Sequence, residues 1–577
     1  MTYDFLIDSY ESERIKVLSV WSEFREEDLD VRPKPDDARG RSVREQMVHQ
    51  CVSEDTWFRT MLGIDAGAPP LPEHETRLDF IARVGIHAPP DAHVTPPRAA
   101  NGHAADARAR TARGRESSTS RTTGSEGDGT MKRLALLILL IASPALAQTT
   151  IYQGATLIRG DGTPAIDDSA FIVQNGMITR LGRAEDVKAP AGAMRVDLSG
   201  KTVMPTLIDI HTHTGFQKGA TYVPQNYGRD TIIEDLNRAL HFGVSAVVSE
   251  GIDPGDAAFK IREDQASGQL GGARLFTAGR GMGAPNAGPG ADTYRGIAYD
   301  ITTQDEGRRA VRELAAQKVD FIKIWVDDRN GRAPELSPPL YRAIIDEAHK
   351  HGLRVNAHVF YLVDAKGLVD AGIDGFTHLV RDKDMDDDLV QAIVRRRVVI
   401  MPTLQNAERG RNTAPPPSLA AWLNGPAHDA IGAPLVEKIL AAYSGRTAAQ
   451  AAAARERYAI LQRSLKKLSD AGARIVLGGD TGLQDDPFGF AEHRELELMV
   501  EAGMTPMQAI VAATSRGADY LRLKDTGILA PGKRADFIVL DGNPLDDITN
   551  TRRIDKVFLK GFIASSSASR LFPSRHQ

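Results

Sequence analysis

From about residue 203 to residue 522, short apolar runs alternate with stretches whose apolar positions recur at helical spacing, the pattern of strands connected by helices. Eight runs read as strands: VMPTLIDI (203–210), VSAVVSE (244–250), ARLFTAG (273–279), VDFIKIWV (319–326), LRVNAHVF (353–360), IDGFTHLV (373–380), VVIMPTL (398–404) and ARIVLGGD (473–480). Helices fit between them, for example over 340–351 and 364–371, with two more over 489–503 and 506–522. A Pro-rich and then Ala-rich segment at 411–470 interrupts this rhythm and reads as an insertion over the mouth of the fold. Residues 148–202 instead show short β runs with an Asn175-Gly176 turn, and strands return in GILAPGKRADFIVL (527–540) and IDKVFLKGFI (554–563). The pattern predicts α/β structure, either a parallel barrel or a doubly wound sheet, set between the two halves of a small antiparallel unit (148–202 and 523–563) and followed by a tail at 564–577.

The amino-terminal part follows other rules. Residues 3–24 carry Phe5, Leu6, Ile15, Val17, Leu18 and Trp21 at helical spacing, and Ser42 can cap a second helix through Val43, Met47, Val48, Trp57 and Phe58. This segment, about 1–90, resembles the front half of a DinB-like four-helix bundle, with His49 at the first metal histidine of that family. The later histidine pair has no counterpart, since His74 and His87 lack helical context and four-residue spacing. Residues 91–130 are rich in Pro, Ala, Arg, Gly, Ser and Thr and read as a disordered linker.

MKRLALLILLIASPALAQ (131–148) then shows the basic start, apolar segment and Ala145-Leu146-Ala147 cleavage pattern of a signal peptide. Its apolar part is too short for a stable membrane span. The expectation is an exported product, periplasmic or secreted, that begins at Met131; the alternatives are a two-part protein with an internal membrane anchor and a bifunctional fusion with a working bundle.

Composition narrows the function classes. At 577 residues and 42% hydrophobic content the chain can build a sizeable core, and a net charge of -5 gives no general attraction to nucleic acid or anionic membrane. The single cysteine, Cys51, excludes an intrachain disulfide and a cysteine-built metal site.

The candidate chemistry sits at strand ends. In LIDIHTHTG (207–215), His211 and His213 are two residues apart, so a strand presents both imidazoles to one side. Lys323 lies inside FIKIW, where a buried ammonium is costly unless paired or chemically changed. His358 closes VNAH, His378 closes GFTH, and Asp480 closes IVLGGD. Each alone has a bland reading as a strand-end histidine or a helix cap; the ordering on five strand ends points to a metal centre.

These residues, with the closing stretch GILAPGKRADFIVLDGNPLDDI, resemble the metal-dependent amidohydrolase superfamily, in the imidazolonepropionase-like branch grouped with Xaa-Pro dipeptidase-type and ochratoxin-amidase-type hydrolases, over about 150–563. The resemblance implies a (β/α)8 TIM barrel inserted in a composite β-sandwich. It also implies two divalent metal ions, usually zinc, bridged by a carbon dioxide-derived carbamate on Lys323. His211, His213 and Asp480 would hold one ion, and His358 with His378 the other. The implied reaction is hydrolysis of a C–N bond in a small-molecule amide, cyclic amide or dipeptide by a hydroxide bridging the metals, with Asp480 moving the proton. Barrels of this kind commonly associate, so a homo-oligomer is in keeping with the resemblance.

Substrate contacts are expected in loops after the strands: Tyr294, Arg295, Tyr361, Arg381 and Thr403. Arg381 can clamp a substrate carboxylate, or it can pair with Asp382 or Asp384 at the surface. Leu379 after His378, and Phe360-Tyr361 after His358, depart from the family's usual wording. The competing function class is a non-catalytic binding protein on the same scaffold.

Overall fold

The computed structural model describes residues 29–30, 42–57, 71, 149–289, 294 and 296–566. The helix expected over 3–24, the linker at 91–130, the signal-like segment at 131–147, Arg295 and residues 567–577 lie outside these described residues. The chain divides into two units, 1–127 and 128–577.

In the first unit the helix Val43–Trp57 starts at Ser42. Ser42 Oγ accepts from Glu45 N at 3.2 Å while Ser42 N donates to Glu45 Oε2 at 2.9 Å, a reciprocal cap that satisfies two otherwise unpaired amides. Leu29, Met47 and Cys51 are buried, and His49 is exposed.

In the second unit an eight-stranded sheet joins sequence-distant halves. Its order is Phe562–Ser566, Ile554–Leu559, Phe537–Leu540, Thr202–Pro205, Thr150–Leu157, Ile166–Gln174 and Met177–Arg183, with Met194–Asp197 also pairing Thr150–Leu157. The halves meet where Thr202–Pro205 runs antiparallel to Phe537–Leu540. Tyr152 stacks on Phe171 with ring centroids 4.8 Å apart, and Phe537 stacks on Phe558 at 4.4 Å, forming an aromatic core private to this sheet. The final strand runs to Ser566, three residues into the expected tail.

VMPTLIDI is expected as one strand, and here the structure differs. Thr202–Pro205 belongs to the small sheet, and Leu207–Thr212 starts a parallel one beside Val244–Ser249. Thr202–Pro205 lies between Thr150–Leu157, parallel to it, and Phe537–Leu540, antiparallel to it, whereas Leu207–Thr212 pairs with Val244–Ser249, so the ladder changes at Thr206, whose Oγ1 lies 2.7 Å from Ser245 Oγ.

Apart from a short antiparallel pair, Gln217–Lys218 with Thr221–Tyr222, the remaining strands are parallel. Arg274–Thr277, Val244–Ser249 and Leu207–Thr212 form a three-stranded sheet. Tyr299–Asp300, Met282–Gly283, Phe321–Val326, Arg354–Val359, Gly375–Phe376, Val399–Ile400 and Arg474–Ile475 form a seven-stranded one. The ladders do not close into a single barrel. Isolated bonds link them instead, Asp320 N to Thr277 O at 2.9 Å on one side and Ile210 N to Leu477 O at 3.0 Å on the other.

Helices including Gln304–Ala316, Pro338–Lys350, Leu362–Ala371 and Asp387–Arg396 bury an apolar face in the main core with Val355, Ile322 and Ile400. The helix expected over 506–522 is two, Pro506–Ala513 and Ser515–Tyr520, because Thr514 leaves helical geometry at φ -128° and ψ -91°. The insertion is helical, ending in Ala448–Asp470, and part of it has its own core around Leu419, Trp422 and Tyr443. Among the described residues, no helix is long and apolar enough to cross a membrane.

Candidate metal and active site

The downstream ends of the parallel strands converge. Leu207–Thr212 is buried throughout and delivers His211 and, one residue beyond its end, His213. Their Nε2 atoms lie 3.2 and 2.9 Å from the same oxygen, Asp480 Oδ1. The Gly478-Gly479 pair before Asp480 leaves room for this approach, since a Cβ on Gly478 would meet Met401 Cβ at 2.6 Å and His211 Cβ at 3.1 Å. Asp209, two residues before His211, locks the two strand ends together. Its carboxylate accepts from His211 N at 2.9 Å, Thr481 Oγ1 at 2.9 Å and Gly479 N at 3.2 Å.

Phe321–Val326 supplies Lys323, whose side chain is 1% exposed. Its Nζ donates to Thr377 Oγ1 at 2.7 Å, and lies 3.4 Å from His211 Nε2 and 3.9 Å from Glu250 Oε2. Arg354–Val359 supplies His358, whose ring centre is 4.6 Å from that of His378; His378 is in turn 5.1 Å from His211. The strand Gly375–Phe376 is short because the chain turns off at Thr377, which places the hydroxyl on Lys323 and the next side chain, His378, toward the other imidazoles.

Burial governs the charge states. It holds the pKa of His358 down at about 3 and those of His211 and His378 well below the usual value, so all three are neutral at pH 7, the form that ligates metal. Burial also lowers Lys323 against the opposing pull of Glu250 and Asp480, and raises Glu250 against the pull of Lys323. For Asp480, burial acts upward, but His211, His213 and Lys323 together outweigh it and keep the carboxyl ionised.

His211, His378 and Asp480 offer ligand atoms within 4.8 Å of one another, a group that could hold a metal ion. The buried atoms His211 Nδ1, His213 Nδ1 and Glu250 Oε2 have no hydrogen-bond partner. Neutral imidazoles around a fixed carboxylate are a donor set suited to a divalent transition metal. His213 and His358 stand beside this group, His358 with its Nε2 2.9 Å from Asp327 Oδ2.

A cavity of about 550 Å³ opens over these residues. Tyr294 lines it with a buried, unpartnered hydroxyl. Arg381 lines it too, with Nη2 3.3 Å from His358 Nε2 and its guanidinium 5.1 Å above the Phe360 ring. No ion pair of Arg381 with Asp382 or Asp384 is present among the described residues. Asp384 instead pairs with Arg463 at 3.0 Å, and Asp382 Oδ1 caps Leu362 N at 2.9 Å.

Two expected substrate contacts have other positions. Tyr361 donates to Asp328 at 2.7 Å and is not part of the cavity wall, while Thr403 is buried behind His378, its Oγ1 2.6 Å from Nδ1.

Glu250, Asp327, Asp209 and Asn406 also stand at the site and are not among the residues expected from sequence. The first two directly follow the runs VSAVVS and FIKIWV, so the strand-end rule that singled out Asp480 applies equally to them. Asn406 lies on the short helix Leu404–Glu408, where no periodic pattern marks it.

With this geometry, similarity to known proteins becomes informative. The chain is 24% identical to the enamidase of Eubacterium barkeri over 424 residues, covering 70% of this chain and 89% of that one. It is 26% identical to the ochratoxinase of Aspergillus niger over 458 residues, covering 71% and 85%. Among solved structures, a prolidase candidate from Bifidobacterium longum matches with a TM-score of 0.57 at 27% identity, covering 72% of this chain and 94% of that one. The sequence pattern of the amidohydrolase family matches residues 202–563. That match takes in more than half of the chain and every one of the converging strand ends, and the chain belongs to the amidohydrolase family.

Proposed function

We propose that this protein is a metal-dependent hydrolase that cleaves the C–N bond of a small amide, cyclic amide or dipeptide. The observation that carries the reading is the meeting of His211, His213, His378 and Lys323 around the ionised carboxylate of Asp480 at the floor of a cavity. Amidohydrolases are generally metal-dependent, and the relatives named enamidase and ochratoxinase and the prolidase candidate support a C–N bond as the target.

In this reading the two parallel ladders are arcs of one (β/α)8 barrel, and the eight-stranded sheet is the accompanying sandwich. His211, His213 and Asp480 would hold one divalent ion and His358 with His378 a second, both zinc in the first instance, with a carbamate on Lys323 shared between them. Bound there, the ions would polarise the scissile carbonyl and make water acidic enough to ionise near neutral pH. The chain's own groups do the rest. Asp480 is fixed by Asn406 and two imidazoles, and takes the proton of the attacking water and returns it to the departing nitrogen. Arg381 and Arg329 bring positive charge to the cavity wall, suited to a substrate carboxylate, and Tyr294 supplies a hydroxyl with no competing partner.

The test combines metal analysis of the purified protein with turnover of a panel of dipeptides, N-acyl amino acids and lactams. Bound divalent metal and turnover of at least one class are expected. Protein that takes up no metal when supplied with zinc, manganese or cobalt, and hydrolyses none of the panel, would be a binding protein on a hydrolase scaffold.

A further inference from the structure

A second cavity, about 820 Å³, lies at the other end of the parallel strands. Arg354 and Arg474 in its wall open the strands Arg354–Val359 and Arg474–Ile475, whose far ends lead to His358 and Asp480. At roughly 3.3 Å of rise per residue, Arg354 is about 13 Å upstream of His358. The two cavities share no lining residue.

The wall is rich in cations: Arg354, Arg396, Arg397, Arg474, Arg522 and Lys524. Its two carboxylates are already engaged. Asp374 accepts from Val355 N and faces His349 Nε2, both at 2.8 Å, and Asp519 pairs with Arg474. Arg396 is 3.9 Å from Asp370. Among the described residues, Arg397, Arg522 and Lys524 have no carboxylate partner.

Some of this charge answers the carboxyl ends of three helices, Leu362–Ala371, Asp387–Arg396 and Ser515–Tyr520, that finish at this wall. Each such end carries only about half a negative charge, so cations remain in excess.

Two further features mark a built site. Arg397 and Arg522 stand at φ +58° and +57°, backbone positions that favour glycine, yet carry long cationic side chains. Arg354 is held rigid, its guanidinium 4.7 Å above the Tyr520 ring and donating to Tyr520 O. Tyr520 is itself fixed by stacking on Phe321 at 5.3 Å and by donating to Asn356 Oδ1 at 2.5 Å. A cation anchored in this way binds an anion without first losing rotamer freedom.

We propose that this cavity binds a small molecule bearing clustered phosphoryl groups, a condensed phosphate or a phosphorylated organic anion. Several guanidinium forks facing one space need several negative charges in one compact ligand, and phosphoryl oxygens supply them most densely. Ile373, Val399 and Leu523 in the same wall leave an apolar surface for an organic portion.

Calorimetric titration of the full-length protein with tripolyphosphate and with ATP, at fixed ionic strength near 0.15 M, tests this, with citrate as a polycarboxylate control. Saturable one-to-one binding of tripolyphosphate or ATP is expected, at least tenfold tighter than citrate, and tighter for ATP if the organic portion is used. The variant Arg397→Gly/Arg522→Gly keeps the backbone at residues glycine tolerates and is expected to weaken binding at least tenfold, with an unchanged circular dichroism spectrum. Lys524→Glu, an exposed change, is expected to act in the same direction. Absence of saturable binding, citrate binding as tightly, or affinity unaltered in both variants would each overturn the proposal, the last by placing the anion elsewhere.

Discussion

Asn406 Nδ2 donates to Asp480 Oδ2 at 2.5 Å, leaving Oδ1 to the two imidazoles of His211 and His213. The carboxylate is thereby held at both oxygens. Hydrogen bonds to charged groups are worth about 1.5–3 kcal/mol. Asn406→Ala is therefore expected to lower kcat by about tenfold to a hundredfold with metal content retained. Asp480→Asn is expected to lower it by at least about 100-fold, the scale of general acid–base catalysis. Steady-state kinetics with metal analysis on each variant checks both.

Lys323 and Glu250 are both fully buried, and each is the other's nearest opposite charge at 3.9 Å. In the metal-free chain, where Lys323 carries no carbamate, removing one partner of such a pair costs about 3–5 kcal/mol, because the other is left without compensation. Lys323→Met is expected to lower the Tm and bound metal together. Lys323→Met/Glu250→Gln is expected to recover much of the Tm and none of the activity, a separation readable by thermal melts beside a turnover assay.

Gly482 stands at φ +93°, and a Cβ there would sit 2.0 Å from His213 O. Gly192, at φ +78°, has nothing within 4 Å of the same added atom. Both alanine variants bear the backbone cost of about 1–3 kcal/mol. Gly482→Ala alone is expected to displace His213, so it loses activity and metal as well as stability. Gly192→Ala is expected to lose stability only.

Burial pushes Glu495 up to about 8, although Leu404 N and Gln405 N donate to it at 3.0 and 2.8 Å. The folded chain thus keeps a proton that the unfolded chain releases near pH 4.5. Between those two values the native state binds more protons, so stability falls as pH rises, by at most about 1.4 kcal/mol per pH unit for one group. Denaturant melts from pH 5 to 8 are expected to show a shallower decline for Glu495→Gln than for the parent chain.

Chelation followed by dialysis is expected to abolish turnover and lower the Tm, and resupplied zinc to restore both. A metal present at 100 times its Kd adds about 2.7 kcal/mol to stability. A Tm indifferent to chelator would count against an ion bridging the strand ends.

The parts of this architecture legible in the sequence are those set by local periodicity. The two-residue spacing of His211 and His213 gives a shared face once the segment is extended, and an ammonium inside FIKIW announces its need for a partner. What that partner is depends on contacts across the sheet. Glu250 reaches Lys323 from just past the end of Val244–Ser249, and Asn356 holds Glu250 at 2.6 Å from the strand Arg354–Val359, relations no spacing rule encodes. The break at Thr206 was hidden for a similar reason. VMPTLIDI is apolar on both sides of it, and only the identity of the partners, 150–157 and 537–540 before the break and 244–249 after it, divides it. Thr403 looked like a pocket residue by position; its φ of +50° turns it behind His378 instead.

The antiparallel seam between Thr202–Pro205 and Phe537–Leu540 also bears on how the molecule is made. On a ribosome moving at about 5–20 residues per second, the first of these strands emerges on the order of tens of seconds before its mate exists. Meanwhile Val203 and Met204, both completely buried in the finished protein, have no hydrogen-bonded neighbour on that side. Nascent chains should therefore depend on holding chaperones until synthesis is nearly over, and truncation before residue 537 should yield aggregates rather than a smaller working enzyme.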